Sequence, residues 1–271
     1  MQKGLILLFG VVTYLVFFVA FLYFIAFVGN LQTTALADAW PALAGLVPYS
    51  ISFGRETGPP ALAAAINLGL IALFGAQHSI MARSGFKSWL ANHLPRSAER
   101  SVYVLLSTAL LALLMWQWRP MGPVLWSVDA PVGQAVLWAL FAIGFGMVFV
   151  TTYLIDHFDL FGLKQVWSQF RGREVQPPRF VTPLFYRVVR HPLYLGFLIA
   201  FWAAPVMTLG HLLFAAGMSA YILVGVRLEE RDLVRYLGSD YERYREQVPQ
   251  LVPVPGRAWR DRTAKQSAMA D

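Results

Sequence analysis

The stretch YRVVRHPLYLGFLIAFW, residues 186–202, sets a basic cluster directly against an apolar run. Arg190 and His191 come immediately before Pro192, and residues 193–202 carry no charge. Proline is tolerated in the first turn of a helix, because its missing N–H has no partner to lose there. The pattern therefore predicts an apolar helix that begins at Pro192. Its basic start fits either the cytoplasmic flank of a membrane span or a binding site for an anionic ligand.

The composition of the chain indicates a protein that lies within a membrane. Hydrophobic residues make up 57% of its 271 residues and charged residues only 14%, whereas a soluble domain has about 25% charged residues. We therefore predict a polytopic membrane protein and exclude a soluble two-domain enzyme. The net charge of +7 comes from loops, so the expected partner is the lipid bilayer and not nucleic acid. The absence of cysteine excludes disulfides, a thiolate nucleophile and cysteine-rich metal sites.

Apolar runs divide the chain into spans. Those long enough to cross about 30 Å of hydrocarbon lie near residues 5–29, 61–81, 101–118 and 132–155. Two shorter runs follow, near 192–209 and 212–228, separated only by Gly210 and His211, where we predict a tight turn. The expected fold class is an all-α integral membrane protein, a bundle of about six transmembrane helices that includes this C-terminal helical hairpin. The first run is too long and bulky for a signal peptide and is interpreted as a retained span.

The chain is divided further by composition. We assign residues 1–130 to N-terminal transmembrane helices and residues 131–255 to a C-terminal membrane half that holds the candidate site. The polar segment at 256–271 is predicted to be a disordered tail.

The positive residues of the loops set the expected orientation. The second and fourth connections carry Arg83, Lys87, Arg96, Arg100, Lys164, Arg171, Arg173, Arg179, Arg187 and Arg190. The first and third carry only Arg55 and Arg119, so the positive-inside rule places the second and fourth connections in the cytoplasm. With six spans, both termini and the C-terminal segment are expected there as well.

Four polar motifs then fall at one membrane boundary. They are GAQHSIMAR (75–83), YLIDHFDLFGLKQVW (153–167), RHPLYLG (190–196) and RLEERDLVRYLG (227–238). Ionisable residues at membrane depth are costly, so they face the interior of the bundle and mark function. We therefore expect the four motifs to converge on one site.

The histidines of these motifs have simpler interpretations. His78 alone is equally consistent with an interfacial histidine bonded to a backbone carbonyl, and Asp156 with His157 is consistent with the ordinary polar end of a helix. The histidines are scattered and form no His-x-x-x-His pair, so we predict no metal site.

The charged residues of the last two motifs also allow two interpretations. Glu229, Glu230, Arg231 and Asp232 fit a solvated helix face paired with Arg227 and Arg235 along the same helix. Alternatively, Glu229 and Glu230 face the helix that starts at Pro192, whose N-terminal dipole favours anions. Basic and acidic walls together would match a ligand that carries both a carboxylate and an ammonium or sulfonium group.

The same residues form a pattern that resembles a known family. The pattern is Arg190-His191-Pro192-x-Tyr194-x-Gly196, then Glu229-Glu230-x-x-Leu233, Gly238, Tyr241, Tyr244, Val248-Pro249 and Pro253. It is similar to the membrane methyltransferases of the isoprenylcysteine carboxyl and phospholipid N-methyltransferase group, in which this half binds S-adenosylmethionine. Some membrane sterol reductases share a similar C-terminal half. In the N-terminal half, QHSIMAR and HFDLFGLKQVW resemble the nurim-type branch, which includes bacterial methanethiol S-methyltransferases.

The resemblance implies an enzyme of the bacterial inner membrane that methylates a small volatile thiol, methanethiol, with S-adenosylmethionine as donor, giving dimethyl sulfide. The implied cofactor contacts are His191, Tyr194, Leu195, Gly196, Glu229 and Glu230, with Arg190 on the cofactor's carboxylate and Tyr241 and Tyr244 closing over its adenosine. The implied base is His78 or the Asp156–His157 pair. We favour His78, because Gln77 can orient a small polar head and Ser79 begins a small-residue stretch with room for a tiny substrate. Arg83 completes the expected substrate site.

Three alternatives stay open at this point. The acceptor could be a larger lipid or prenylated molecule, or the same scaffold could serve a reductase that uses NADPH. The third alternative is a non-catalytic membrane protein of the nurim kind.

Overall fold

The computed structural model describes residues 2–174 and 181–259 of the chain. In chain order its helices are α1 (Gln2–Val28), α2 (Ala35–Ala39), α3 (Pro41–Gly45), α4 (Pro60–Met81), α5 (Ser84–Ala91), α6 (Arg96–Gln117), α7 (Pro131–Ile155), α8 (His157–Leu160), α9 (Leu163–Phe170), α10 (Pro192–Trp202), α11 (Leu209–Leu237) and α12 (Ser239–Gln247). Its strands are β1 (Val124–Ser127) and β2 (Val206–Thr208), and 3₁₀ turns cover Leu31–Thr33 and Leu184–Arg187.

Long apolar helices make up about half of the described part, so the protein is a helical integral membrane protein. Five of the described helices, α1, α4, α6, α7 and α11, are long and apolar enough to cross a membrane. The first four agree with the spans predicted from the apolar runs. The helix predicted to start at Pro192 also starts there, but α10 has only 11 residues. At 1.5 Å per residue it covers about half of a 30 Å hydrocarbon layer.

The connection after α10 corrects the predicted hairpin. The run at 192–209 is not one helix, because α10 ends before Pro205, which cannot continue a helix and biases the residue before it against helical geometry. The chain then extends into β2, which pairs antiparallel with β1. Gly210 and His211 were predicted to form a tight turn, yet they lie in the first turn of α11. The Thr208 side chain starts that helix by accepting a hydrogen bond from the His211 N–H.

Two glycines set the distance between α7 and α10. A Cβ atom added to Gly196 would lie 2.7 Å from the carbonyl oxygen of Gly144, and one added to Gly144 would lie 2.7 Å from the carbonyl oxygen of Gly196. Contacts this short to backbone atoms leave room for hydrogen only, and small residues allow such close packing of membrane helices. Gly196, which the resemblance implied as a cofactor contact, therefore packs against α7.

An aromatic core joins helices from both halves of the chain. Phe24 of α1 meets Phe145 of α7 and Phe201 of α10 edge to face, with ring centroids 6.2 and 6.0 Å apart. Phe201 meets Phe214 of α11 in the same way at 5.1 Å. Such pairs contribute about 0.5–1.5 kcal/mol each beyond the area they bury. Residues from the segments 1–130 and 131–255 thus share one core.

The bundle has two ends of different character. The basic end carries the C-termini of α4, α7 and α11 and the N-termini of α6 and α10. At the opposite end, the β1–β2 pair and the segment before α4 close the bundle, where Trp118 Nε1 donates to the Ile51 carbonyl at 3.0 Å and Asn30 Oδ1 accepts from Ser50 Oγ at 2.7 Å. The four polar motifs all lie at the basic end.

The start of the C-terminal tail is attached to the basic end. The Trp259 N–H donates to the Arg187 carbonyl at 2.9 Å, and its ring meets Tyr244 at 5.5 Å. Residues 260–271, which make up most of the tail predicted to be disordered, lie outside the described residues.

The α7–α10 contact predicts the effect of a single methyl group. Gly196→Ala should lower the free energy of unfolding in detergent by about 1–3 kcal/mol, because the new Cβ forces the two backbones apart. Gly146→Ala, on the exposed side of α7 with nothing within 4 Å of the added atom, is the control and should unfold like the wild type. Thermal unfolding measures both, and equal midpoints for the two variants would contradict the contact.

Candidate functional site

The candidate site lies where α10 and α11 meet at the basic end, beside the ends of α4 and α6. Two adjacent carboxylates of α11, Glu229 and Glu230, point to different neighbours there. Glu229 is bonded to Tyr194 of α10, whereas Glu230 is bonded to Arg190 and His191, which immediately precede α10.

Glu230 is held in a buried ionic cluster. Its Oε1 accepts from Arg190 Nε at 2.7 Å and from His191 Nε2 at 3.0 Å. Glu230 is only 8% exposed and His191 only 5%. A buried charge persists only when it is paired and hydrogen-bonded, so this cluster ties α10 to α11. The interpretation of Glu230 as part of a solvated helix face paired with Arg227 and Arg235 is therefore wrong.

A short segment, the strap (residues 245–250), completes this cluster from outside. Arg190 Nη1 donates to two strap carbonyls at 2.9 and 2.6 Å. The backbone N–H groups of Arg190 and His191 donate to two further strap carbonyls at 2.9 and 3.1 Å. These N–H groups, which we expected an anion to use at the start of α10, are thus occupied by the chain itself.

Glu229 is in a different situation. Its Oε2 accepts from the Tyr194 hydroxyl at 2.8 Å, and no cation of the described residues pairs with it. Arg235 forms an exposed ion pair with Asp232 at 3.9 Å, as the solvated-face interpretation expects, and does not pair with Glu229. Tyr103 and Tyr221 interact electrostatically with Glu229 as well. Glu229 is therefore a half-buried carboxylate among three phenols, with acceptor capacity left for a ligand.

His78 lies at the edge of this phenol cluster. Its Nε2 is 2.7 Å from the Tyr103 hydroxyl and its Nδ1 is 3.2 Å from Ser107 Oγ. Gln77 exchanges hydrogen bonds with Ser107 at 3.3 Å. The ring of Tyr221 stands edge to face with that of His78, 6.4 Å away. The structure thus brings His78 and Gln77 together with the neighbourhood of Glu229.

The other expected substrate residues divide between the site and the surface. Ser79 lies beside the Tyr221 hydroxyl and so belongs to the same neighbourhood. Arg83 instead pairs with Asp232 at 2.5 Å, where both side chains are partly exposed. An exposed ion pair contributes little, about 0–1 kcal/mol, and Arg83 is not brought to the phenols.

His157 sits in a separate place, between α1, α7 and α8. Its Nε2 is 2.8 Å from the Tyr14 hydroxyl and its Nδ1 is 2.7 Å from Thr152 Oγ1. The Tyr153 ring stacks on it at 4.2 Å. The side chain is 4% exposed, and burial holds the pKa of His157 below its usual range. None of its described contacts comes from α4, α6 or α11, so the structure does not bring it to Glu229.

Asp156 precedes His157 in the chain, but their side chains are not paired. Asp156 has φ 148° and ψ 89°, a conformation that costs about 1–3 kcal/mol for a residue with a side chain. Its Oδ2 binds Lys164 Nζ at 2.5 Å, and its Oδ1 caps α8 by accepting the Asp159 N–H at 3.1 Å. The hydrogen bond from Lys164 holds the pKa of the Asp156 carboxyl below its usual range. This carboxylate therefore fixes the bend between α7 and α8.

The remaining expected cofactor contacts are packed inside the protein. Tyr241 and Tyr244 form a small buried cluster with Val248 of the strap, and the Tyr244 hydroxyl donates to the Tyr186 carbonyl at 2.6 Å. In this arrangement they pack the strap in place and do not lie open to solvent. Leu195 is half-buried in α10 beside Gly196.

The polar face of α6 that contributes to this site was not predicted from the sequence. Arg100, Tyr103 and Ser107 are spaced i, i+3 and i+7, which places them on one helical face in an otherwise apolar run. Arg100 was counted only as a loop charge, yet its guanidinium carbon lies 5.1 Å from the Tyr103 ring centroid. The spacing of polar groups along one face was the signal that could have found them.

Comparison with known proteins gives this site a context. The family model described as "NnrU protein" matches residues 66–269. The methanethiol S-methyltransferase 1 of Bradyrhizobium diazoefficiens is 48% identical over 93% of this chain and 83% of its own. The methanethiol S-methyltransferase of Mycobacterium tuberculosis is 46% identical over 95% of this chain and 99% of its own. The nurim of Sus scrofa is 31% identical over 65% of this chain and 70% of its own. No solved structure matches.

The buried position of His157 predicts a dependence of stability on pH. In the folded state its pKa is lowered, so the unfolded chain binds a proton more readily, and stability is lost as pH falls below about 6.5, the usual value. The loss amounts to about 1.4 kcal/mol for each unit by which the two pKa values differ. We expect the thermal midpoint of the wild type to fall more between pH 7.5 and 5 than that of His157→Gln. Other titrating groups cancel in this comparison, and equal falls would refute it.

Proposed function

The chain belongs to the NnrU protein family, and from that membership we propose that it is a membrane methyltransferase that methylates methanethiol to dimethyl sulfide. The observation that carries the proposal is that relatives named for this reaction match nearly the whole chain at almost half identity. Both halves of the candidate site, the α4–α6 side with His78 and the α10–α11 side with Glu229, fall inside the matched region.

We propose S-adenosylmethionine as the methyl donor. It carries an ammonium and a sulfonium group, and Glu229 is the site's carboxylate without a cationic partner among the described residues. The phenols of Tyr194 and Tyr221 add aromatic faces and hydroxyl groups that suit a cation. When bound, the donor supplies a methyl group activated by its positive sulfur.

The two glutamates have different tasks in this proposal. Glu229, oriented by Tyr194, binds the cationic part of the donor. Glu230, Arg190 and His191 hold α10, α11 and the strap in place, because their charges and N–H groups are already used by one another and by strap carbonyls. Leu195, Gly196, Tyr241 and Tyr244 support that scaffold.

We propose that the base on the acceptor side is His78 and not His157. The thiol must lose a proton before its sulfur attacks in line, and holding both reactants in position supplies much of the rate. His78 stands beside the phenols that surround Glu229, whereas the ring nitrogens of His157 are bonded to Tyr14 and Thr152 elsewhere. Gln77 and Ser79 then border the place of the small acceptor.

For the membrane arrangement we propose six crossings, with α10 and the extended segment that includes β2 together forming the fifth. The basic end faces the cytoplasm of a bacterial inner membrane, so both termini lie there. The methyl donor is a soluble cytoplasmic compound, and this orientation gives it access to Glu229.

The other candidate activities have less support. A reductase using NADPH would share only the C-terminal half, and none of the relatives described above is named for reduction. A lipid or prenylated acceptor and a non-catalytic role remain as outcomes of the activity test below.

The proposed orientation predicts a labelling pattern. Glu56→Cys should react with a membrane-impermeant maleimide in intact spheroplasts, and Arg173→Cys should react only after permeabilisation. Both side chains are exposed and the chain has no native cysteine, so the background is clean. The reversed pattern would reject the cytoplasmic site.

The activity itself is tested by headspace gas chromatography. Cells that express the protein should release dimethyl sulfide when methanethiol is added. Glu229→Gln should weaken binding of S-adenosylhomocysteine, measured by calorimetry, by about 10- to 100-fold, because a charge-assisted hydrogen bond to the ammonium is lost. The proposed function fails if wild-type cells form no dimethyl sulfide or if the purified protein binds NADPH instead.

Two further variants of α11 serve as comparisons. Asp232→Asn removes a charge at the exposed pair with Arg83 and should leave ligand affinity unchanged. Glu230→Gln leaves Arg190 buried with its charge less well matched, so it should lower stability by a few kcal/mol, up to about 3–5. If Glu229→Gln binds S-adenosylhomocysteine with normal affinity, the cationic part of the donor does not bind at Glu229.

A further inference from the structure

Both ring nitrogens of His78 are occupied, and this constrains how the side chain can take a proton. Tyr103 Oη lies 2.7 Å from Nε2, and Ser107 Oγ lies 3.2 Å from Nδ1. A neutral imidazole offers one donor and one acceptor nitrogen, and here each faces a hydroxyl group. A thiol therefore reaches neither nitrogen unless it displaces one of these hydroxyls.

The hydrogen bonds around His78 form a chain with one direction. The Gln77 amide nitrogen lies 2.9 Å from Met81 Sδ and 3.3 Å from Ser107 Oγ, and we assign its amide oxygen as the acceptor of the Ser107 hydroxyl, also at 3.3 Å. The Ser107 oxygen then accepts the Nδ1 proton of His78, and Nε2 accepts the hydroxyl proton of Tyr103. In this assignment, made from the network itself, each hydroxyl donates once. The lone pairs of Tyr103 Oη are left for a further donor.

Among the residues of this hydrogen-bond network, Tyr103 is the one that faces the proposed donor site. It interacts electrostatically with Glu229, Tyr194 and Tyr221, which surround that site. The guanidinium carbon of Arg100 lies 5.1 Å from its ring centroid.

We propose that Tyr103 is the catalytic residue that contacts the thiol and relays its proton to His78. The thiol S–H bond breaks as its proton joins Tyr103 Oη, while the hydroxyl proton of Tyr103 moves to His78 Nε2. The sulfur electron pair forms the new S–C bond to the methyl group, and the bond between that methyl and the donor sulfur breaks with its electron pair remaining on the donor sulfur. His78 ends as an imidazolium and later releases the proton to solvent. The inference rests on the proposed function.

The first test is Tyr103→Phe, which keeps the ring and its contact with Arg100. At pH 7 its kcat should fall by roughly 10²–10⁴-fold, the usual range for loss of acid–base catalysis. S-adenosylhomocysteine affinity should stay within about twofold of wild type, and kcat should rise about tenfold per pH unit as thiolate forms in solution. The double variant Tyr103→Phe/His78→Gln should be no slower than the slower single variant, because the two residues act as one unit.

Tyr14→Phe is the matched control. It removes an equivalent bond between a phenol and a histidine, at 2.8 Å from His157 Nε2, on the other side of the bundle. Its kcat should equal that of the wild type. Near-normal kcat in Tyr103→Phe, or a loss of S-adenosylhomocysteine affinity, would overturn the assignment.

A second measurement separates a relay from simple positioning of His78. A fluorinated tyrosine, introduced at position 103 alone, has a more acidic phenol. In a relay the kcat–pH profile shifts with that acidity, and an unshifted profile would reject the relay. Failure of the relay can be distinguished from failure of the proposed function. If only the relay is wrong, the wild type still forms dimethyl sulfide; if the proposed function is wrong, it forms none.

Discussion

Glu230 places a carboxylate in a nearly dry part of the bundle, and the surrounding structure is arranged to match its charge. Arg190 and His191 bind the carboxylate from the start of α10, and the strap supplies carbonyls for the donors that remain. Removing one charged member of this cluster would leave another charge buried without compensation. The stability of α10, α11 and the strap at this end is therefore interdependent. The adjacent Glu229 takes no part in this ionic cluster and accepts a hydrogen bond from Tyr194, which leaves it the acceptor capacity that the proposed donor site uses.

The long helices could be predicted from the sequence because their signal is local. The apolar runs of α1, α4, α6 and α7 are long enough to identify by length, and Pro192 marks where α10 begins. The end of α10 was missed although Pro205 and Thr208 were visible, because hydropathy alone does not distinguish an apolar helix from an apolar extended segment. Pro205 as a helix breaker and Thr208 as a helix N-cap were better indicators of the helix boundaries there than hydropathy.

The site was less predictable, because its contacts join residues distant in sequence. Asp156 and His157 are neighbours in the chain, yet the positive φ at Asp156 turns the chain so that one side chain binds Lys164 and the other Tyr14. His78 and Tyr103 come from different helices, and their pairing is set by how α4 packs on α6. A glycine such as Gly196 indicates that another group packs closely against the backbone, but the sequence does not identify whether that group is a ligand or a neighbouring helix.

The extended segment after α10 has a consequence for how the protein is made. In lipid, every backbone polar group needs a partner, and those of β2 are met by β1 from the connection between α6 and α7. In the six-crossing arrangement proposed above, the fifth crossing is therefore complete only once β1 is available to pair with β2. That arrangement implies an order of assembly, in which the connection between α6 and α7 is in place before α10 and its extended continuation.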